Sequence, residues 1–211
     1  MLNFIKDAVE IETRSMELIA PYLSKMNLDA AQTKVFSRVI HAAGDPDYAN
    51  HIRIHPEAID AALAAVHQGA DVFCDVEMVK TGISKNTLAR HGGKVQCLIA
   101  DPAVAAMAKQ AEITRSMAAF RTFGHQLDNA IVAVGNAPTA LFELFRLMEE
   151  EKVRPAVVIG VPVGFVGAAE SKALLVERST APYITVLGNK GGSPIAAAIL
   201  NALLYMTGPR A

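Results

Sequence analysis

The sequence predicts a doubly wound α/β domain, a mainly parallel five-stranded sheet preceded by a helical N-terminal region. Three observations carry that expectation. Short apolar runs rich in β-branched residues recur at 72–74, 95–99, 130–134, 156–161 and 183–187. Continuous apolar runs of this kind suit parallel strands covered on both faces. Helical segments separate most of these runs, and the residues before Gly69 carry helical periodicity instead.

Taken in order, Phe4, Ala8, Ile11, Leu18 and Ile19 have helical spacing, with an expected stop before Pro21. A second helix is predicted from about Asp29 to Ala43, with Val35, Phe36, Val39 and Ile40 inward and an end at Gly44-Asp45-Pro46. A third begins with Pro56 in its first turn and closes at Gly69. Further helices are expected at 102–110 and 113–123, then at 138–150, 167–177 and 195–205. The last is apolar almost all round over 195–204, so its own domain or a second subunit must cover it.

Composition narrows the function. Of 211 residues, 52% are hydrophobic and 19% charged, which suits a compact core and excludes a disordered chain. No repeat, low-complexity tract or linker divides the sequence, so residues 1–211 are expected to form one domain. A net charge of -1 gives no reason to expect nucleic acid or an anionic membrane as partner. Lys6, Asp7, Glu10 and Glu12 interrupt any secretory pattern, and the apolar stretches 155–169 and 195–206 fall short of the roughly 20 residues of a membrane span. Cys74 and Cys97, without a C-x-x-C, read as buried thiols in a reducing compartment. A cytoplasmic location follows as the expectation.

Chemistry is expected beyond the carboxyl ends of the strands, where ligands bind open α/β sheets. Three glycine-rich turns fall there: 135–139, 160–167 and 188–193. Each leads into a helix and offers backbone N–H groups to a carboxylate or phosphate. One such turn merely permits a tight connection; three together point to a ligand. No G-x-x-x-x-G-K-[ST] or G-x-G-x-x-G is present, and Gly160, Gly164 and Gly167 form too loose a pattern to indicate a dinucleotide.

Among titratable residues His41 stands out. It shares a polar stripe with Lys34 and Arg38, opposite Val35 and Val39. The end of the helix dipole favours the imidazolium there, while the two cations oppose it; a bound polyanion would offset them and favour a proton donor. The bland alternative is a solvent-facing histidine at a helix end. Arg14-Ser15 on the first helix has Glu10 and Glu17 as ready ion-pair partners, and Arg115-Ser116 sits early in a helix, where a cation wants an anion nearby. An extended segment would align His51, Arg53 and His55, but the proline after His55 argues against a helical two-histidine metal site. A histidine acid, several arginines and three anion-friendly turns, without a metal cluster, Ser-His-Asp set or nucleotide motif, suit an isomerase or binder of a multiply charged organic molecule.

The segments ETRSM at 12–16, VIHAAGD at 39–45, CDVEMVKTGI at 74–83, TRSMAAF at 114–120, VGNAPTALFELF at 134–145, GVPVGFVGAAESK at 160–172 and GNKGGSPIAAAILNAL at 188–203 resemble the precorrin-8X methylmutase family, its cobalt-precorrin-8 members included. They cover nearly the whole chain in order. The resemblance implies a flavodoxin-like fold and a homodimer with active sites near the subunit interface. It implies an isomerase of corrin biosynthesis that moves a methyl from C-11 to C-12 of precorrin-8 or cobalt-precorrin-8, giving hydrogenobyrinate or cobyrinate. His41 falls on the catalytic histidine of VIHAAGD; Ser15 and Arg38 match positions associated with substrate. Arg14, Arg115 and Ser116 belong to neighbouring matched motifs, and Asn136, Lys190 and Gly191 to the matched turns. No cofactor is required, since the methyl is already on the polycarboxylated tetrapyrrole, and any cobalt belongs to that substrate. Rival readings are a non-catalytic corrinoid carrier and, at fold level, a flavin or nucleotide module.

Overall fold

The computed structural model describes residues 4–208. Six strands form one sheet: β1 (Ile52–Ile54), β2 (Val72–Cys74), β3 (Val95–Gln96), β4 (Ile131–Val134), β5 (Val157–Gly160) and β6 (Tyr183–Val186), in the order β1-β6-β5-β4-β2-β3. The five from β2 to β6 are parallel. Renumbered among themselves, their order is 2-1-3-4-5, the flavodoxin-like arrangement. These are the five expected strands, although the run at 95–99 keeps only two residues in the ladder.

β1 is the unexpected strand. It lies antiparallel to β6 at the sheet edge, pairing Ile52 with Val186 and Ile54 with Ile184. Its alternation of β-branched residues around exposed Arg53 suits an edge strand, and three residues are too few to show against the helices that flank it.

The first helices are α1 (Ala8–Leu23), α2 (Ala30–Ala43), α3 (Tyr48–His51) and α4 (Ala58–His67). Beyond β2 come α5 (Glu77–Gly82) and α6 (Lys85–Ala89), two short helices that periodicity does not reveal. They are followed by α7 (Pro102–Gln110), α8 (Arg115–Phe123), α9 (Pro138–Glu150), α10 (Ala168–Arg178) and α11 (Ser193–Met206). α1 does not stop before Pro21 but carries it inside. The proline sits in the last turn, where only one or two further residues depend on the interrupted bonding, so the helix tolerates it.

Alternation along the strands divides the core. Val72, Cys74, Ile131, Ala133, Val157, Ile159, Ile184 and Val186 face one side, with α2, α4 and α11. Phe73, Val132, Val134 and Val158 face the other, with α8 and α9. The all-round apolar α11 is covered by its own domain: it packs on β4 and β5 below, on α4 and α5 beside it, and on α2 above. α1 packs in turn on α2, adding an outer helical layer to that side. Cys74 is buried and Cys97 half-buried, and burial pushes both thiols up, Cys97 to about 11.

Candidate functional site

The strand order reverses between β2 and β4, the place where a flavodoxin-like sheet opens a ligand crevice. Here the protein fills that place with its own anion. Asp75, the residue after β2, is fully buried. Its Oδ1 accepts the N–H of Gly135 at 3.0 Å, and its Oδ2 accepts those of Asn136 at 2.8 Å and Ala137 at 2.7 Å. Burial pushes the carboxyl's pKa up; the three N–H groups pull against it without reversing the rise. Gly135 is required by close approach, because a Cβ there would lie 2.7 Å from Val79 and 2.9 Å from the Cα of Ser193.

The turn after β6 is also engaged internally. Gly192 N–H donates to the Val161 carbonyl at 2.8 Å, and Gly191 N–H meets the Tyr48 hydroxyl at 3.2 Å. A side chain at Gly191, with φ +150, would run into the Val161 carbonyl. Lys190 Nζ binds Asp45 at 2.6 Å and Asp47 at 2.8 Å, which holds both carboxyls below, and the ammonium above, their ordinary values. The expected convergence of three free anion-binding turns is therefore corrected. All three spend N–H groups on the fold, since in the turn ahead of α10 the Gly164 N–H donates to the Asn189 carbonyl at 3.2 Å.

The open cleft lies elsewhere, between α1, α2 and the end of α11. It has a volume of about 460 Å³ and is lined by Glu12, Met16, Lys34, Arg38, Tyr205 and Met206, among others. Arg38 dominates it. Its guanidinium donates to Glu12 at 2.7 Å and lies 6.0 Å from the ring centre of Tyr205. α2 presents this face because Val35, Phe36, Val39 and Ile40 are buried against the core, turning Lys34, Arg38 and His41 outward. An Asp29 capping box fixes the start of α2, and Gly44 in the left-handed conformation ends it. His41 is exposed, one turn beyond Arg38, and its ring has no protein partner among the described residues.

Comparison with known proteins decides the family. The precorrin-8X methylmutase family model matches residues 10–206. The chain belongs to that family. A cobalt-precorrin-8 methylmutase of Leptospira interrogans is 38% identical over 207 residues, covering 95% of this chain and 94% of its own. A precorrin-8X methylmutase of Pseudomonas aeruginosa is 38% identical over 204 residues, covering 96% and 98%. The solved precorrin-8X methylmutase of Thermus thermophilus has a TM-score of 0.85 at 35% identity, covering 93% of this chain and 96% of that one.

Within this methylmutase fold the expected site residues fall into separate groups. Ser15, Arg38 and His41 lie on the α1–α2 face, where the Ser15 hydroxyl donates to the Ile11 carbonyl at 2.7 Å. Arg14 shares α1 but makes the anticipated surface ion pair with Glu17 at 2.8 Å. Arg115 and Ser116 open α8, a helix of the opposite sheet face; Arg115 is exposed and Ser116 buried. Thr114 joins this group to the start of α9 through Thr139 at 2.9 Å, and Asn136, just before it, is exposed while its N–H serves Asp75. His51, Arg53 and His55 do not gather: His51 meets Asp47, Arg53 donates to the Asn50 and Ile52 carbonyls, and His55 lies edge-on to Tyr183.

Sequence reasoning overlooked Asp75, Glu12 and Lys172. Asp75 had a signal, a lone acid closing an apolar strand opposite a Gly-Asn-Ala turn. Lys172 had one too, a lysine on the same stripe as buried Ala168 and Leu175.

Proposed function

We propose that this methylmutase is an isomerase of corrin biosynthesis that moves a methyl from C-11 to C-12 of precorrin-8 or cobalt-precorrin-8. The match of the whole chain to the family carries the reading. The cleft beside Arg38, one helical turn from His41, supports it: cations and an aromatic ring border an apolar floor of Met16 and Met206, a lining suited to a macrocycle with carboxylate arms.

The chemistry is assigned as follows. Arg38 binds substrate carboxylates, with Ser15 and Arg14 of α1 as further contacts; when a carboxylate arrives, Arg38 exchanges or shares its bond to Glu12. His41, whose ring is uncommitted, donates a proton to the conjugated system and makes it electron-poor. The methyl then undergoes a 1,5-shift from C-11 to C-12, and loss of a proton restores a neutral chromophore. No net redox change or external methyl donor enters. Exposed Arg115 and Asn136, with Ser116 buried behind them, belong to another part of the molecule, and a homodimer with its sites near the subunit interface gives this group a way to reach a substrate too large for a 460 Å³ cleft. Exposed Val9, Ile11, Leu18 and Tyr22 on α1 support such an assembly. No described helix is long and apolar enough to cross a membrane, which is compatible with work in the cytoplasm.

The test is anaerobic incubation of the purified protein with metal-free and cobalt-containing precorrin-8, followed by absorbance. Appearance of the hydrogenobyrinate or cobyrinate chromophore supports the reading and shows which substrate is used. Tight binding of both substrates without any spectral change refutes it.

A further inference from the structure

Lys172 is a fully buried lysine that the proposed chemistry leaves unused. It lies on the inner stripe of α10 with Ala168 and Leu175, a place where an apolar residue is the norm. Among the described residues no carboxylate pairs with its ammonium; Nζ donates to the main-chain carbonyl of Lys190 at 2.6 Å. Desolvation lowers its pKa to about 8. A buried cation without a counter-ion is costly, so its retention asks for a reason.

The contacts supply one. The Lys190 carbonyl is held from within by Lys172, while the Lys190 side chain reaches outward to Asp45 and Asp47. Those two acids lie one and three residues after Gly44, the left-handed residue that ends α2, and His41 occupies the last turn of that helix. The same loop residue also lies over the ring of Tyr48, 5.1 Å from its centre, and Tyr48 meets Gly191. A continuous chain of contacts thus runs from α10, through the 188–193 loop, to the helix end that carries His41.

We infer that Lys172 is a positioning residue: it locks Lys190 in place, and Lys190 fixes the end of α2 and thereby the direction in which His41 delivers its proton. An ammonium suits the task because it gives the loop's inward carbonyl a charged donor, and no backbone N–H among the described residues is bonded to that carbonyl. The inference rests on His41 as proton donor, the role assigned above.

The experiment compares wild type with Lys172→Met, which keeps an unbranched chain out to Cε but lacks the donor Nζ. Two readouts are taken: the imidazole NMR signals of His41 in the free protein, and kcat and KM with precorrin-8 or cobalt-precorrin-8. Expected are displaced His41 signals, kcat lower by tenfold or more and KM within about threefold. Asp45→Asn, which weakens the outer link, moves the same His41 signals, and the double variant is no worse than the more impaired single one because both act through one loop. Unchanged His41 signals with kcat within twofold overturn the inference, as do additive losses in the double variant. Should Lys172→Met not fold, Asp45→Asn and Lys172→Gln carry the same readouts. Wild type without turnover on either substrate refutes the methylmutase reading instead, and the His41 signals still report on the contact chain.

Discussion

Replacing Asp75 by alanine removes the acceptor for three buried N–H groups at once. In the native protein these lie 2.7–3.0 Å from the carboxylate oxygens, and the side chain is fully buried. A donor left unpaired away from water costs about 1–3 kcal/mol, and hydrogen bonds to a charged acceptor are worth about 1.5–3 kcal/mol each. The carboxylate's own desolvation and water entering the small cavity offset part of the loss. The expected net destabilisation is therefore about 4 kcal/mol, less than the sum of three separate bonds, and comparable to breaking a buried ion pair. For a chain of this size that lowers Tm by about 8–16 °C. Asp75→Asn keeps one good acceptor but turns an amide N–H₂ toward donors, so about half the loss is expected. Urea unfolding followed by circular dichroism measures both, with formate added to the alanine variant as a small carboxylate that can enter the vacated nest. Partial recovery by formate, and not by chloride, is expected. A loss below about 1 kcal/mol for Asp75→Ala would show that the three donors have other partners, and would remove the argument that the switch point is closed by the fold itself.

Four further outcomes follow from the geometry. His41→Ala should fold and bind like wild type while turnover falls by about 10²–10⁴, the usual contribution of a general acid; near-normal turnover refutes the assignment. Arg38→Ala should raise KM by about tenfold or more with a smaller change in kcat, whereas Glu12→Gln, which relaxes the competitor for Arg38, should lower KM; steady-state kinetics on both variants separates the effects. Glu143 is buried between Arg121 and Arg146, whose bonds outweigh the upward push of burial and leave its carboxyl lowered; Glu143→Gln should cost about 2–4 kcal/mol in urea unfolding without altering His41 chemistry. Lys172 titrates at about 8 in the folded protein against 10.5 when unfolded, so between those values the unfolded chain holds the extra proton and its contribution makes stability rise with pH. That rise amounts to at most about 3 kcal/mol, and the difference between wild type and Lys172→Met in unfolding experiments at pH 7.5 and pH 9.5 isolates it.

How far the sequence announces this structure depends on the period of the pattern. Runs such as Val157–Gly160 and Ile131–Val134 are apolar on both faces, and helices such as Pro138–Glu150 and Pro102–Gln110 begin on prolines, so both were readable directly. Ile52–Ile54 was not, because a three-residue edge strand has no room to show a period and owes its existence to pairing with Tyr183–Val186. The same distinction governs the site. Lys34, Arg38 and His41 form a stripe within one helix and could be found by spacing, but the partner of Arg38 is Glu12, 26 residues away on α1. Glycine turns advertised their N–H groups without revealing that Asp75, Tyr48 and Val161 already take them, since those acceptors come from distant segments.

That occupation explains how a flavodoxin-like sheet hosts chemistry unlike that of a flavin or nucleotide module. A phosphate at the switch point would have to displace Asp75, a buried carboxylate whose three N–H donors cannot be shared with a second anion. With the usual crevice sealed from inside, the recognition site proposed above lies in the outer layer that this chain adds to one side, where α1 and α2 stack on α11. Of that outer pair, α2 seats Val35, Phe36, Val39 and Ile40 in the core but leaves its end at His41 exposed, while α1 buries little more than Ile19 and Leu23. The protein answers by tying the exposed end of α2 to the sheet: Lys190 clamps Asp45 and Asp47, and Lys172 anchors Lys190 from below. On the inference drawn above, Lys172 of α10 thus positions His41 through a loop whose glycines let the backbone press against Val161, and the cleft beside Arg38 is the proposed seat of a large polyanionic ring.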